Sequence, residues 1–464
     1  MKRLIAPLVP LLLAGCTVGP DHARPAVAGE TASWIGPAAL GDAEPGWWRR
    51  IDDPMLAELI AAAAARNLDV REAEARLREA RAERDAAAGR ALPTLSAASS
   101  ASRNQISENG QFPAGRIPGF ERRFDLFDGG FDASWEIDLW GGNRRSVEAA
   151  QARSEAAEAA RREVRLATVA EVVRAYAELR GGQARVAAIA AEAEAQAGVA
   201  RLTAQRERAG ESSVLERARA DVAAASARAA IAPAQAEADA AAFRLALLTG
   251  QPPEALIERL RAPSVQPMLP PDIPAGLRAD VLRRRPDVAR AERDLAAATA
   301  DVGVATAELF PRFSLIGAVG QQSRSVSGLG SGGSTRFSIG PQLHWPLFEG
   351  GRIRAQIRAA DARADAAVVR YERAVLGALT DSETALNRHA AARAARIEAE
   401  AALARSRVAL GLAEQRYRAG EDGAIAWLDA QAAHARAERS AADARTAELT
   451  ALAALGKALG GELE

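Results

Sequence analysis

From Asn143 to Ala209, and again from Arg352 to Ala419, the chain runs for some 67 residues without a proline. At 1.5 Å of rise per residue, a helix of that length is a rod of roughly 100 Å. No compact domain requires one. Alanine and arginine, both strong helix formers, fill the two stretches. In the whole chain 116 of 464 residues are alanine and 58 are arginine, against two lysines, Lys2 and Lys457. Alanines bury little area per residue, so two or three ordinary globular domains fit poorly and long, closely packed helices fit well. Sixty charges of each sign cancel, leaving no electrostatic case for nucleic acid. One cysteine excludes a disulfide framework and a cysteine-ligated metal cluster.

The two stretches belong to a duplication. Asp69-Val70 and Leu92-Pro93-Thr94-Leu95-Ser96 align with Asp287-Val288 and Phe310-Pro311-Arg312-Phe313-Ser314 at an offset of 218. Gly141-Gly142 aligns with Gly350-Gly351 at 209, and Gln205-Arg206 through Gly210-Glu211 with Gln415-Arg416 through Gly420-Glu421 at 210. A period this long is no solenoid; it is one supersecondary unit used twice. Each copy reads helix, β-hairpin, very long helix, glycine break, helix. The first helix spans about Pro54 to Ala91, ending at Leu92-Pro93; its counterpart starts at Pro286 and ends at Phe310-Pro311. Gly181-Gly182 and Gly198 are the weak points of the first long helix, Gly377 and Gly411 of the second. The repeats occupy 54–260 and 286–464, joined by a linker at 261–285 that overlaps the proline-rich stretch of Gln251 to Pro274.

Between the helices the apolar period changes from 3.6 to 2. Every odd position from Phe337 to Leu347 and from Phe131 to Leu139 is apolar. Thr94 to Ser102 and Phe313 to Gly320 are their partners, giving hairpins at 94–140 and 312–348. Twelve of the 20 aromatic residues fall in windows 94–140 and 310–348. Alternating strands of about ten residues with clustered aromatics are the signature of a transmembrane β-barrel. The spacers Arg103 to Gly130 and Gln321 to Thr335 suit exposed loops outside the cell. Four strands cannot close a barrel, and an open edge in hydrocarbon leaves backbone groups unsatisfied, so several copies must associate. Alternation places Asp132, Glu136 and Asp138 in the lumen, giving a negatively lined pore.

The N-terminus carries Met1-Lys2-Arg3, an apolar run from Leu4 to Leu13, and Leu13-Ala14-Gly15-Cys16. About ten apolar residues are too few to span a bilayer as a helix. Residues 1–15 resemble the signal peptide of bacterial lipoproteins, with Cys16 the lipidated first residue of the mature chain. Thr17, where an aspartate would retain such a protein at the inner membrane, favours the outer one. Residues 16–53 form a lipidated arm.

In sum the chain resembles the TolC-like outer-membrane efflux factors, in the lipoprotein branch paired with resistance–nodulation–division pumps. The likeness is carried by Gly15-Cys16-Thr17-Val18-Gly19-Pro20-Asp21, Trp47-Trp48 before Asp53-Pro54, and Ser134-Trp135-Glu136-Ile137-Asp138-Leu139-Trp140-Gly141. It continues in Leu282-Arg283-Arg284-Arg285-Pro286-Asp287-Val288, Arg416-Tyr417-Arg418-Ala419-Gly420, Leu428-Asp429-Ala430-Gln431 and Leu459-Gly460-Gly461. The resemblance implies a mainly α-helical homotrimer with a shared 12-stranded β-barrel in the outer membrane and a helical tunnel across the periplasm. It implies end-on docking to a periplasmic adaptor and, through it, to an inner-membrane pump. By the same resemblance the gate at the tunnel's inner end maps to Ile425 and Asp429, which lie four apart on one helical face. Two departures stand out: the first-repeat equivalent of Asp429 is Arg219, and no bulky residue directly precedes Ile425. Gly210 and Gly420 end the long helices and mark the turns that face the adaptor.

No catalytic constellation is present, since His22, His344, His389 and His434 are scattered and no nucleotide-binding loop appears. The expected covalent group is the lipid on Cys16; no cofactor is implied. The reading is therefore a passive exit duct for small molecules. Its alternatives are a non-conducting lipoprotein coiled-coil spacer and an exit duct for type I protein secretion.

Overall fold

The computed structural model describes residues 17–27, 29–30, 32–37, 46–108, 119, 121–262, 264–268 and 274–461. Among the described residues ten α-helices and four strands follow in the order α1 (Pro54–Arg66), α2 (Leu68–Arg90), β1 (Thr94–Gln105), β2 (Arg123–Ile137), α3 (Gly142–Arg208), α4 (Val214–Ala229), α5 (Ile231–Leu248), α6 (Ile257–Arg261), α7 (Arg278–Arg284), α8 (Pro286–Ala307), β3 (Arg312–Ser323), β4 (Thr335–His344), α9 (Arg352–Arg418) and α10 (Ala424–Ala458). Both long helices are continuous over 67 residues. Contacts divide the chain into two units, one built from residues 1–25, 78–156 and 291–370 and the other from 26–77, 157–290 and 371–464.

The first unit holds the sheet. The two hairpins are not separate: β2 pairs with β3, so four antiparallel strands form one sheet in the order β1-β2-β3-β4. The strands run further than their alternation alone indicates, and 11 of the 28 residues of the expected loop, 103–105 and 123–130, are strand, with Arg123 opposite Gln105. The expected strand end at Leu139 is corrected to Ile137, where Asp138 turns to the next helix. At the centre of the repeat-to-repeat seam Gly130 faces Gly320. A Cβ on Gly130 would stand 2.5 Å from the Val319 carbonyl oxygen, so the strands approach this closely only because both residues are glycine.

The second unit carries the larger core, which gathers Trp47, Trp48 and the inward faces of α1, α3, α5 and α10. Its helices lie antiparallel. Along α3 and α10 Arg185 pairs with Asp443 at 2.8 Å and Glu192 with Arg436 at 2.7 Å. Gly181, Gly182 and Gly198 do not weaken α3; they let it approach its neighbours. A Cβ at each would meet Thr446 at 1.8 Å, Ala238 at 3.0 Å and Leu428 at 2.9 Å. The helix expected from Pro54 to Ala91 is broken at Asn67, whose Oδ1 accepts from the Asp69 and Val70 amides and whose Nδ2 donates to the Leu248 carbonyl. Asn67 is an N-cap in the middle of an apparently unbroken pattern. Its repeat equivalent is Arg285, at the break between α7 and α8.

The motifs around Asp53 and Arg285 are anchors in this unit. Asp53 caps α1 through the Met55 and Leu56 amides, and its second oxygen accepts from the Tyr176 hydroxyl at 2.7 Å. Burial pushes that hydroxyl up to about 12. Arg285 grips Asp287 through two bonds of 3.0 and 2.7 Å and donates to the Ala458 carbonyl at 2.8 Å, tying α8 to the end of α10. Burial alone would raise the Asp287 carboxyl; the Arg285 bonds outweigh it and hold it below its ordinary value.

Candidate functional site: the two-faced sheet and the paired helical turns

Register assigns each strand residue to a face, since side chains alternate. One face carries Leu95, Phe131, Trp135, Leu315, Phe337 and Ile339, and turns polar towards the loop end, at the Arg103–Asp125 and Gln105–Arg123 pairs and Gln321. These side chains are exposed in the single chain, Phe337 at 79% and Ile339 at 74%. The other face carries Ser96, Asp132, Glu136, Ser314, Ser338 and Gln342, with Phe124, Leu126 and Ile316 as apolar exceptions. Asp132 stands between Ser96 and Ala318, and Glu136 opposite Ser314. Asp138 lies one residue past β2. Its carboxylate accepts from the Arg144 amide at 2.9 Å in the first turn of α3, where the helix dipole favours an anion.

The polar face also holds a cluster that the sequence pattern did not reveal. The Asp128 carboxylate accepts from Arg336 at 2.9 and 2.6 Å and from Gln322 at 2.8 Å, bridging β2, β3 and β4. Gly130 and Gly320 leave the space it spans. Alternation shows that Asp128 and Arg336 share a face with Asp132, but only register shows that they meet.

At the end where the helices enter the sheet, tryptophans form a repeated lock. Trp135 Nε1 donates to the Ala91 carbonyl at 3.0 Å and Trp345 Nε1 to the Leu309 carbonyl at 3.1 Å. Both acceptors lie just past a helix C-terminus, where carbonyls lack intrahelical partners. The pairs are repeat equivalents, and their sequence separations of 44 and 36 place an eight-residue difference inside the hairpins. Trp140 stacks on Phe310 and donates to the Pro311 carbonyl at 2.8 Å. Amphipathic rings in this pattern suit a membrane interface.

In the second unit the long helices end alike. Gly210 and Gly420 have φ of +75° and +73°, and Glu211 and Glu421 return their amides to Arg206 and Arg416 at 2.8 and 2.9 Å. A Cβ at either glycine would meet nothing within 4 Å. Conformation alone demands them. The turns differ in what closes them. Ser213 and Glu216 form a capping box on α4, and the Glu216 carboxyl is held below its usual range first by the Ser213 amide and then by hydroxyls. Gly423 opens α10 without a side-chain cap, and the clasp there is Tyr417 stacked on Trp427, centroids 5.2 Å apart. Trp427 was not singled out from the sequence, although its place ten residues after Tyr417 puts it across the turn.

Ile425 and Asp429 sit in the first turns of α10, Ile425 half-buried and Asp429 exposed. Neither Asp429 nor Arg219 forms an ion pair among the described residues, and the chain does not bring the two together. Cys16 and the 1–15 segment lie outside the described residues. Among the described residues no group of His, Cys, Asp or Glu could hold a metal, and no helix is long and apolar enough to cross a membrane.

Comparison with known proteins bears on this geometry. The family model for outer membrane efflux proteins matches residues 59–251 and 277–461, one span in each repeat. The chain is 34% identical over 468 residues to the outer membrane protein OprJ of Pseudomonas aeruginosa, covering 98% of this chain and 94% of that one. The solved structure of the outer-membrane channel OprN superposes with a TM-score of 0.84 at 38% identity, covering 96% and 99% of the two chains. The open state of the MtrE outer membrane channel of Neisseria gonorrhoeae gives 0.81 at 29%, covering 97% and 99%.

Proposed function

The chain belongs to the outer membrane efflux protein family, and from that footing we propose how its own residues build a duct. It is an outer-membrane channel component of a tripartite efflux system, not an enzyme. Three copies close a 12-stranded barrel, β4 of each pairing with β1 of the next. The observation that carries this is the sheet itself: below its loop end one face is apolar, the other is mostly polar, and among the described residues neither edge strand, β1 or β4, has a second partner. In hydrocarbon each unpaired backbone group costs several kcal/mol, so the edges must meet other edges. A 12-stranded barrel is wider than the eight-stranded barrels whose interiors side chains fill.

Asp132, Glu136 and the Asp128–Arg336–Gln322 cluster line the lumen, and Asp138 holds the entrance of α3. The helical turns at Gly210 and Gly420 receive a periplasmic adaptor, which couples the duct to an inner-membrane pump of the resistance–nodulation–division type. Ile425 and Asp429 narrow the inner end: three apolar side chains and three carboxylates around one axis make a constriction and a cation-attracting ring. Cys16 carries the lipid that anchors the arm. Transport energy comes from the pump.

Heat-modifiable, SDS-resistant trimer bands, with a tag near Gly330 accessible on intact cells, are the expected results. A monomeric protein with a buried tag would overturn the duct and leave a periplasmic spacer.

A further inference from the structure

The first residues of the described chain are bound in a tailored seat. Arg145, in the first turn of α3, has only 4% of its side chain exposed. Its guanidinium donates to the Val18 carbonyl at 3.2 Å, the Gly19 carbonyl at 3.3 Å, the Asp21 carboxylate at 2.6 Å and the Glu148 carboxylate at 2.8 Å. The Val18 amide donates to the Trp140 carbonyl at 3.1 Å.

Three glycines shape the walls. Gly19 has φ +91°, and a Cβ on it would stand 2.4 Å from Gly303 Cα. A Cβ on Gly303 would meet the Arg145 side chain at 2.8 Å, and one on Gly141, φ +81°, would meet Thr17 at 2.8 Å. An arginine so deeply buried is stable only with its donors satisfied, and here the arm supplies three of the four acceptors. The seat lies where β2 ends and β3 begins, beside the Trp140–Phe310 stack.

We propose that Thr17–Asp21 is a latch seated by Arg145, a positioning residue that fixes the acylated end of the mature chain at the rim of the sheet. Cys16 directly precedes the seated Thr17 in the sequence. The acyl chains then enter the membrane at one point beside β2 rather than anywhere within reach of a free arm. The latch rests on the reading of Cys16 as lipidated, which is measured separately.

The test is hydrogen exchange at the Val18 amide, read on N-terminal peptides of the purified full-length trimer, beside palmitate incorporation in the same cells. Arg145→Met and Gly19→Ala should each speed exchange about tenfold or more with palmitate incorporation unchanged, since each empties a charge-assisted or close-packed contact. Asp21→Asn should speed it less. Wild-type protection in both Arg145→Met and Gly19→Ala would overturn the latch. If Arg145→Met yields no trimer, Gly19→Ala and Asp21→Asn decide the matter by the same reading. Absence of palmitate from the wild-type protein would overturn the acylated end and leave the seat to be judged by exchange alone.

Discussion

Glu207 and Arg217 hold, across the turn at the end of α3, the positions that Tyr417 and Trp427 hold across the turn at the end of α9. One clasp is an ion pair at 3.4 Å, the other a stack of parallel rings. Both turns also carry an arginine–carboxylate pair, Arg206 with Glu211 and Arg416 with Glu421 and Asp422, so the two differ in this one clasp. An exposed ion pair contributes about 0.2–1 kcal/mol and is screened by salt, whereas a ring stack adds about 0.5–1.5 kcal/mol and is not. Glu207→Gln should speed hydrogen exchange around Gly210 only slightly and leave Gly420 alone, whereas Trp427→Ala should speed it around Gly420 by more and leave Gly210 alone. Equal responses at both turns would remove the distinction.

Asp429→Ala should raise single-channel conductance and lower cation preference, because three carboxylates would leave a narrow axis. Currents unchanged from wild type would take Asp429 out of the constriction.

The tryptophan lock predicts a graded loss. Trp135→Phe and Trp345→Phe each remove one hydrogen bond while keeping the ring, at about 1 kcal/mol apiece. The temperature at which the trimer band dissociates should fall for each, and fall further for the pair. A double variant as heat-resistant as wild type would show that the helix-end carbonyls find other partners.

Arg285→Met should cost about 3 kcal/mol, since it leaves the Asp287 carboxylate without its two Arg285 bonds and the Ala458 carbonyl at the end of α10 with the Ser382 hydroxyl as its remaining side-chain donor. Thermal unfolding of the trimer measures it. Arg285→Lys should recover only part, because an ammonium cannot make the paired contact.

Acid should release the arm at Trp34–Gly36. Glu383 accepts from the Ile35 and Gly36 amides at 2.9 Å each and pairs with Arg278, which lies over the Trp34 ring. Burial alone would raise its carboxyl; the two amides and Arg278 outweigh that and hold it below its ordinary value. A depressed carboxyl stabilises the fold above its unfolded value, and that contribution is lost as pH falls through the folded one. Protection from exchange in residues 32–37, taken relative to the free peptide at the same pH, should therefore fall below about pH 4.5 in the wild type. In Glu383→Gln it should be low already at neutral pH. An arm equally protected at pH 7 and pH 3 would contradict this.

What could be read from sequence was whatever repeats or alternates. The long helices end within one residue of the expected positions because Gly210 and Gly420 act locally. The two faces of the sheet follow from a period of two. Pairings between distant segments were not legible: Asp128 with Arg336, the arm with Arg145, and β2 with β3 depend on register and on contacts more than a hundred residues apart. The break at Asn67 was hidden for another reason. An N-cap without a proline or glycine leaves the apolar period nearly intact, and only its bond to the Leu248 carbonyl fixes the kink.

The pairing of β2 with β3 also bears on how such a ring could have arisen. Within one chain it joins the hairpin of the first repeat to that of the second, and the join of β4 to the next copy's β1 would have the same sense. Around the closed wall, six half-chains would then meet at six seams, alternating between covalently linked and separate neighbours. A forerunner half as long could have closed the same wall as a hexamer. Fusing its halves would have freed each to diverge, leaving Glu207 and Arg217 across one turn where Tyr417 and Trp427 stand across the other.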